Sequence, residues 1–192
     1  MVRTRVGYAG GTSADPTYRN IGDHSETIQI AYDPTQISYE ELLDVFWQGH
    51  NPVSRPWSRQ YMSIIFYHDE EQRQLALASK AREEERRGRE IYTENVPAEA
   101  FYLAEAYHQK YRLRQMRDIV AEYQRIYPET RDFVDSTAVA RVNGYLGGSD
   151  RPVSHVVDVA RQGHPGQYCM RFTLRPGAPV AGGVLGPGTK GV

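Results

Sequence analysis

The stretch from Gly7 to Pro34 concentrates side chains that can do chemistry: three loop glycines (Gly7, Gly10, Gly11), a tyrosine behind a proline (Pro16, Thr17, Tyr18), and His24 two residues ahead of Glu26. Polar groups converge there just where a strand is about to begin, an arrangement that grips a small polar substrate. A carboxylic acid in such a place delivers a proton at neutral pH only if burial raises its pKa from about 4.3 towards the working pH. Glu26 has the sequence setting for this, because it opens a strand whose alternate residues are Ile28 and Ile30. A phenol donates a hydrogen bond to an oxygen on which charge develops, the use open to Tyr18 and Tyr61. The ordinary alternative is a ring that packs with its hydroxyl wet. For His24 the leading reading is a core histidine satisfied by a backbone partner. A metal site from His24, Glu26, His50 and His68 lacks ligand spacing of the H-E-x-x-H kind, so no metal is expected.

These side chains need elements to hold them. Val2, Thr4, Val6 and Tyr8 alternate with arginines, the pattern of a strand with one covered face, and Ile28, Ile30 and Tyr32 repeat it until Asp33–Pro34 stops the strand. The Gly, Ser, Asp, Pro and Asn content between Gly10 and Asp23 predicts an ordered loop. Ser38 to Glu41 is a capping box, and Tyr39, Leu42, Leu43, Phe46 and Trp47 fall on one face of the helix it starts. Met62 to His68 predicts a buried strand, Asp69 to Gln72 a second cap, and Leu75 to Arg89 a charged helix ended by Gly88. A short strand follows at Ile91 to Val96. Phe101 to Tyr127 is expected to be mostly helical, and Thr137 to Asn143 to be a final helix with Gly144 as its left-handed cap. The Gly- and Pro-rich stretch from Gly147 onward reads as a flexible C-terminal tail. The whole predicts an α/β plait, a mixed sheet with helices packed on it.

At 192 residues, 40% apolar and with 14 tyrosines, the chain suits one domain with a single core. A formal net charge of -1 argues against a dedicated nucleic-acid or membrane-surface protein. The run Lys110, Arg112, Arg114 and Arg117 and the helix Arg82 to Arg89 read as solvated faces, and GGVLGPG follows no strand and is not a dinucleotide loop. MVRTRVGY lacks the hydrophobic segment of a secretory signal, and a cytoplasmic location is expected. The one cysteine, Cys169, excludes an internal disulfide and any multi-cysteine metal site.

GY-x-GG, PTY, a glycine, H-x-E and YDP, in that order and at this spacing, resemble the A-type peptide methionine sulfoxide reductases. The likeness continues through Ile37 to Asn51, RQYMSIIFYHDEEQ (Arg59 to Gln72) and FYLAEAYHQKY (Phe101 to Tyr111), and covers roughly residues 5 to 148. The resemblance implies a ferredoxin-like α/β fold and reduction of the S-epimer of methionine sulfoxide, free or in proteins, with thioredoxin as the usual final reductant. It makes Glu26 the acid that protonates the sulfoxide oxygen and Tyr18 and Tyr61 the phenols that hold that oxygen. Gly10, Gly11, His24 and Trp57 become substrate-binding candidates, Trp57 offering an apolar surface to a methyl group although a buried core tryptophan is the more ordinary reading. No cofactor is implied, and a monomer is expected.

Two departures matter. The family's nucleophile is a cysteine in a Gly-Cys-Phe-Trp block that precedes GY-x-GG by a strand, a helix and a turn, whereas only Met1 to Val6 stand before Gly7. The expectation is therefore an N-terminally incomplete reductase domain over 1–148, whose true start lies upstream, with a C-terminal extension over 149–192. Five places before Tyr61, where much of the family carries an aspartate, stands Pro56, followed by Trp57. Cys169 lies outside the region of resemblance and is a candidate resolving thiol only if the tail folds back. The rival readings are a non-catalytic relative that binds methionine sulfoxide or a partner protein, and a metal-dependent or Cys169-based enzyme.

Overall fold

Alternating sequence becomes paired strand at the amino-terminal end of the chain. β1 (Arg3–Ala9) and β2 (Ser25–Tyr32) run antiparallel, with Val6 opposite Ile28 and Tyr8 opposite Glu26. The structure, a computed structural model, describes residues 2–147 and 171–176. After β2 the chain turns at Asp33 and enters α1 (Tyr39–Gln48) through the expected capping box: Ser38 Oγ accepts from the Glu41 amide at 3.1 Å, and Glu41 Oε2 accepts from the Ser38 amide at 2.7 Å. The predicted face of α1 is buried throughout and forms the main core with Ile28, Ile30 and Tyr32 of β2 and with Ile65 and Ile91. Full burial of each such aliphatic or aromatic side chain contributes roughly 1.5–3 kcal/mol, which fixes which face of β2 is inward and hence where Glu26 points.

β3 (Ile64–Tyr67) and β4 (Glu94–Pro97) run parallel, joined by α2 (Glu70–Arg87), which opens on the Asp69 cap and closes on Gly88 in the left-handed region at φ 61°. Glu83 pairs with Arg86 and Arg87. The Glu83 and Arg87 side chains are only 15% and 25% exposed and Arg87 donates to Trp47 O of α1, so this part of the predicted solvated face is turned inward. β5 (Phe101–Leu103) pairs antiparallel with the outer side of β1. β6 (Arg171–Pro176) lies inside the sheet, parallel to β2 with Ile28 level with Phe172 and parallel to β3 with Ile64 level with Arg171. The strand order is β4-β3-β6-β2-β1-β5, a mixed sheet with helices packed on it.

Four expectations are corrected. The stretch from Gly147 onward was expected to be tail, but Arg171–Pro176 is an interior strand. The crossover from β2 through α1 to β3 leaves a gap one strand wide whose facing amides and carbonyls require partners, and β6 supplies them. Phe101–Tyr127 is helical only from Tyr111 onward. It holds β5, then a segment laid along β1, then two helices, α3 (Tyr111–Arg114) and α4 (Arg117–Ile126). Along that segment the Ala104 amide donates to Val6 O, Gln109 exchanges hydrogen bonds with the Val6 amide and carbonyl, and Lys110 Nζ donates to Thr4 O at 2.8 Å and Thr4 Oγ1 at 2.9 Å. Lys110, expected on a solvated face, is 2% exposed, and burial pulls its ammonium down to about 7.

α5 (Thr130–Asp135), which no pattern announced, and α6 (Thr137–Tyr145) build a second apolar cluster around Leu113, Phe133, Val134 and Val139. Gly144 is inside α6 rather than its left-handed cap. Among the described residues no helix is long and apolar enough to cross a membrane.

Candidate functional site

The loop from Gly10 to His24 is shaped by close approach. Gly10 adopts φ +77°, and a Cβ there would stand 2.8 Å from the Phe66 ring. The Gly11 amide donates to His24 Nδ1 at 3.2 Å, and His24 Nε2 donates to the Ser13 carbonyl at 2.7 Å. His24 is therefore the satisfied core histidine of the ordinary reading. With 0% exposure and both ring nitrogens engaged, it shapes the loop from within. Asp23, beside it, accepts from the amides and hydroxyls of Thr12 and Ser13, and these four donors hold its carboxyl well below the usual range. Gly10 and Gly11 thus act through backbone geometry, carrying the loop round to Tyr18.

Glu26 is half-buried at the start of β2. Gln60 Nε2 donates to Glu26 Oε1 at 2.8 Å. Gln60 belongs to a 3-10 turn (Arg59–Tyr61) fastened to the same end of β2 by Ser25 Oγ, which donates to Arg59 O at 2.6 Å, and to β4 by the Arg59–Glu94 ion pair at 2.5 Å. This turn sets the half-buried Tyr61 on one flank of Glu26. The Trp57 ring packs on Tyr61 with centroids 4.8 Å apart and is 70% exposed. The more ordinary expectation, a buried core tryptophan, is corrected: the half-buried Pro56 turns the chain so that Trp57 forms an outer aromatic wall.

The other flank is built by the segment that follows β5. Glu105 Oε1 accepts from the Tyr18 amide at 3.0 Å, and Glu105 Oε2 accepts from the Tyr8 hydroxyl at 2.7 Å. The Tyr18 ring leans on His108 at 4.8 Å, and His108 on Tyr107 at 4.2 Å. Burial lowers the His108 pKa, against the opposing pull of the Glu105 and Glu26 charges, so this imidazole is neutral at neutral pH. Tyr8 stands directly opposite Glu26 in the β1–β2 pair. Burial first, and then the bond to Glu105, raise the Tyr8 phenol above its ordinary range.

The structure thus gathers Glu26, Tyr18, Tyr61 and Trp57 at one end of β2. It adds Tyr8, Gln60, Glu105 and His108, which residue-type reasoning did not single out. Gln60 adjoins the predicted Tyr61, while Glu105 and His108 sit inside the FYLAEAYHQKY block with nothing in their local sequence to separate them from ordinary helix-face residues. A half-buried carboxyl, two phenols and an aromatic rim suit proton transfer to, and hydrogen bonding of, a small polar oxygen with apolar substituents. Among the described residues no group of three or more His, Cys, Asp or Glu could hold a metal ion, and Cys169 lies outside the described residues.

Residues 1–151 match the family model described as Peptide methionine sulfoxide reductase. A Drosophila melanogaster protein named Peptide methionine sulfoxide reductase is 51% identical over 150 residues, 77% of this chain and 60% of that protein. Peptide methionine sulfoxide reductase A5 of Oryza sativa is 36% identical over 177 residues, 86% of this chain and 69% of that protein. The crystal structure of Mxr1 from Saccharomyces cerevisiae in reduced form superposes with a TM-score of 0.52 at 28% identity, covering 55% of this chain and 66% of that one. The chain spans 60% of the length of the Drosophila relative, and most of its own length falls within the matched region. With the family's match running from β1 through α6, and the Glu26 site inside it, this chain belongs to the peptide methionine sulfoxide reductase family.

Proposed function

We propose that this chain carries the proton-donating and oxygen-holding side of a site that reduces the S-epimer of methionine sulfoxide, free or in proteins, and so serves the repair of oxidised protein. The observation that carries the reading is the position of Glu26: a half-buried carboxyl with an amide donor on one oxygen, flanked by the Tyr18 and Tyr61 segments and the exposed Trp57. In the proposed course a thiolate attacks the sulfoxide sulfur while Glu26 gives its proton to the oxygen, which the phenols of Tyr18 and Tyr61 hold as charge develops. Oxygen passes to the thiol as a sulfenic acid and methionine leaves. A second thiol condenses with the sulfenic acid, releasing water and forming a disulfide, which a dithiol such as thioredoxin reduces. The two electrons come from that dithiol, so no metal or organic cofactor enters the balance.

The described residues contain no cysteine, and Cys169 remains a candidate resolving thiol for this chemistry. The test is epimer selection. A blocked methionine sulfoxide, such as the N-acetyl N-methylamide, is titrated as separate S and R epimers and followed by calorimetry. The S epimer binds preferentially, Glu26→Gln leaves binding within a few-fold, and, with the attacking thiol supplied in solution as dithiothreitol, turnover falls about 100-fold in Glu26→Gln. Equal affinity for the two epimers, or turnover indifferent to Glu26→Gln, refutes the proposal.

A further inference from the structure

Glu105 has no part in the course above, yet it touches both walls that face Glu26. Each of its oxygens accepts from a different site element: one from the backbone amide of Tyr18 in the loop before β2, the other from the hydroxyl of Tyr8 in β1. Its side chain is one-third exposed, so both bonds are made at the edge of the site and not in a sealed core. The segment that carries it does not depend on it for attachment. Gln109 already ties that segment to Val6 by two hydrogen bonds, and Lys110 ties it to Thr4 by two more.

Tyr8 and Glu26 are directly opposed across the β1–β2 pair, so their side chains leave the same face with Cβ atoms about 5 Å apart. A phenol in that position has two carboxylates to choose between, and its hydroxyl goes to Glu105. Three residues on, His108 backs the Tyr18 ring. One carboxylate therefore fixes the backbone of Tyr18, the direction of the Tyr8 hydroxyl and, through its own segment, the ring behind Tyr18.

We propose that Glu105 is a positioning residue for this site: its carboxylate sets Tyr18 against the substrate oxygen and turns the Tyr8 hydroxyl away from Glu26. The inference rests on the sulfoxide-binding reading of the site. Glu105 touches no reacting atom; it acts through the two tyrosines. Removing it frees the Tyr18 loop and releases the Tyr8 hydroxyl from its carboxylate partner.

The experiment compares Glu105→Ala, Glu105→Gln and Gln109→Ala with the unmodified chain. Two measurements are made on each: calorimetric affinity for the S epimer of the blocked methionine sulfoxide, and ultraviolet titration of the tyrosines. Loss of both Glu105 bonds weakens S-epimer binding about tenfold. Glu105→Gln, which keeps one acceptor oxygen, recovers part of that loss. Gln109→Ala cuts the same segment from β1 without touching either tyrosine, and so lowers the melting temperature while leaving the affinity of the folded protein within twofold. Of the three phenols that burial raises, Tyr8, Tyr32 and Tyr39, one moves to lower pH in both Glu105 variants and none does in Gln109→Ala. Unchanged affinity in Glu105→Ala, or an equal loss in Gln109→Ala, overturns the proposal. If the unmodified chain fails to bind the S epimer, the sulfoxide reading falls, and the tyrosine titration still decides whether Glu105 sets Tyr8: late phenols all indifferent to Glu105→Ala overturn it.

Discussion

Lys110 gives the sharpest quantitative prediction. Its amine is 2% exposed and faces two acceptors, Thr4 O and Thr4 Oγ1, which match the two N–H groups of a neutral amine. Burial lowers its pKa to about 7, while the Asp135 carboxylate raises it and the Arg5 guanidinium lowers it by smaller amounts. The folded pKa lies below the ordinary lysine value, so the unfolded chain binds more protons between about pH 7 and 10.5, and stability must rise with pH across that window. At about 1.4 kcal/mol per unit, the rise from pH 7 to 9.5 is of order 3 kcal/mol. Lys110→Met keeps the length and apolar stem but removes the titration, and it leaves two buried acceptors without a donor, a loss of about 2 kcal/mol. The variant should therefore equal or exceed the unmodified chain in stability near pH 7 and fall below it by pH 9.5. Urea unfolding of both proteins at a series of pH values in this range measures the difference directly. A stability difference that stays constant with pH refutes the reasoning, because it would mean that Lys110 keeps its proton in the fold.

Other consequences are as open to measurement. His50, half-buried between the Phe46 carbonyl and Ser63 Oγ, is lowered to about 4, chiefly by desolvation, so stability should rise with pH between about 4 and 6.5 and level off above; His50→Asn should flatten that limb in acid-range melts. Gly10→Ala meets both a left-handed φ and the Phe66 ring at 2.8 Å and should cost about 1–3 kcal/mol in denaturant unfolding. Trp57→Ala, at a 70% exposed position, should leave the melting temperature within a few degrees while weakening S-epimer binding about fivefold, about 1 kcal/mol of lost aromatic contact. A chain ending at Pro176 keeps β6 and should melt as the full chain does, whereas one ending at Gly147 exposes the facing edges of β2 and β3 and should aggregate or lose its cooperative transition.

What the sequence made legible follows from how local each cause is. The α1 face, its capping box, the Gly88 terminus and the alternation of β2 are each set by residues within one or two turns of one another, and all appear in place. Glu26, Tyr18 and Tyr61 stand out in the sequence for a different reason: they sit in ordered motifs whose spacing a resemblance can carry, and their segments lie at one end of β2. The misreadings share one cause, contacts made at long range. Lys110 looks like part of a basic surface run until Thr4, 106 residues away, takes its amine, and Glu105 looks like a helix-face carboxylate until Tyr8 and Tyr18 take its oxygens. β6 is the extreme case. Six residues between Gly- and Pro-rich neighbours alternate Phe172 and Leu174 with Arg171, Thr173 and Arg175, a signal too short to stand out from its surroundings, and the open edges of β2 and β3 on either side hold them as a strand. The same geometry places β1 between the two halves of the site's support: its inner edge pairs with β2, which presents Glu26, and its outer edge holds the segment that carries Glu105 and His108. A change in Thr4, Val6 or their partners Lys110 and Gln109 should therefore alter how the Tyr18 flank sits against Glu26 only by unseating that whole segment. A change at Glu105 alters it alone.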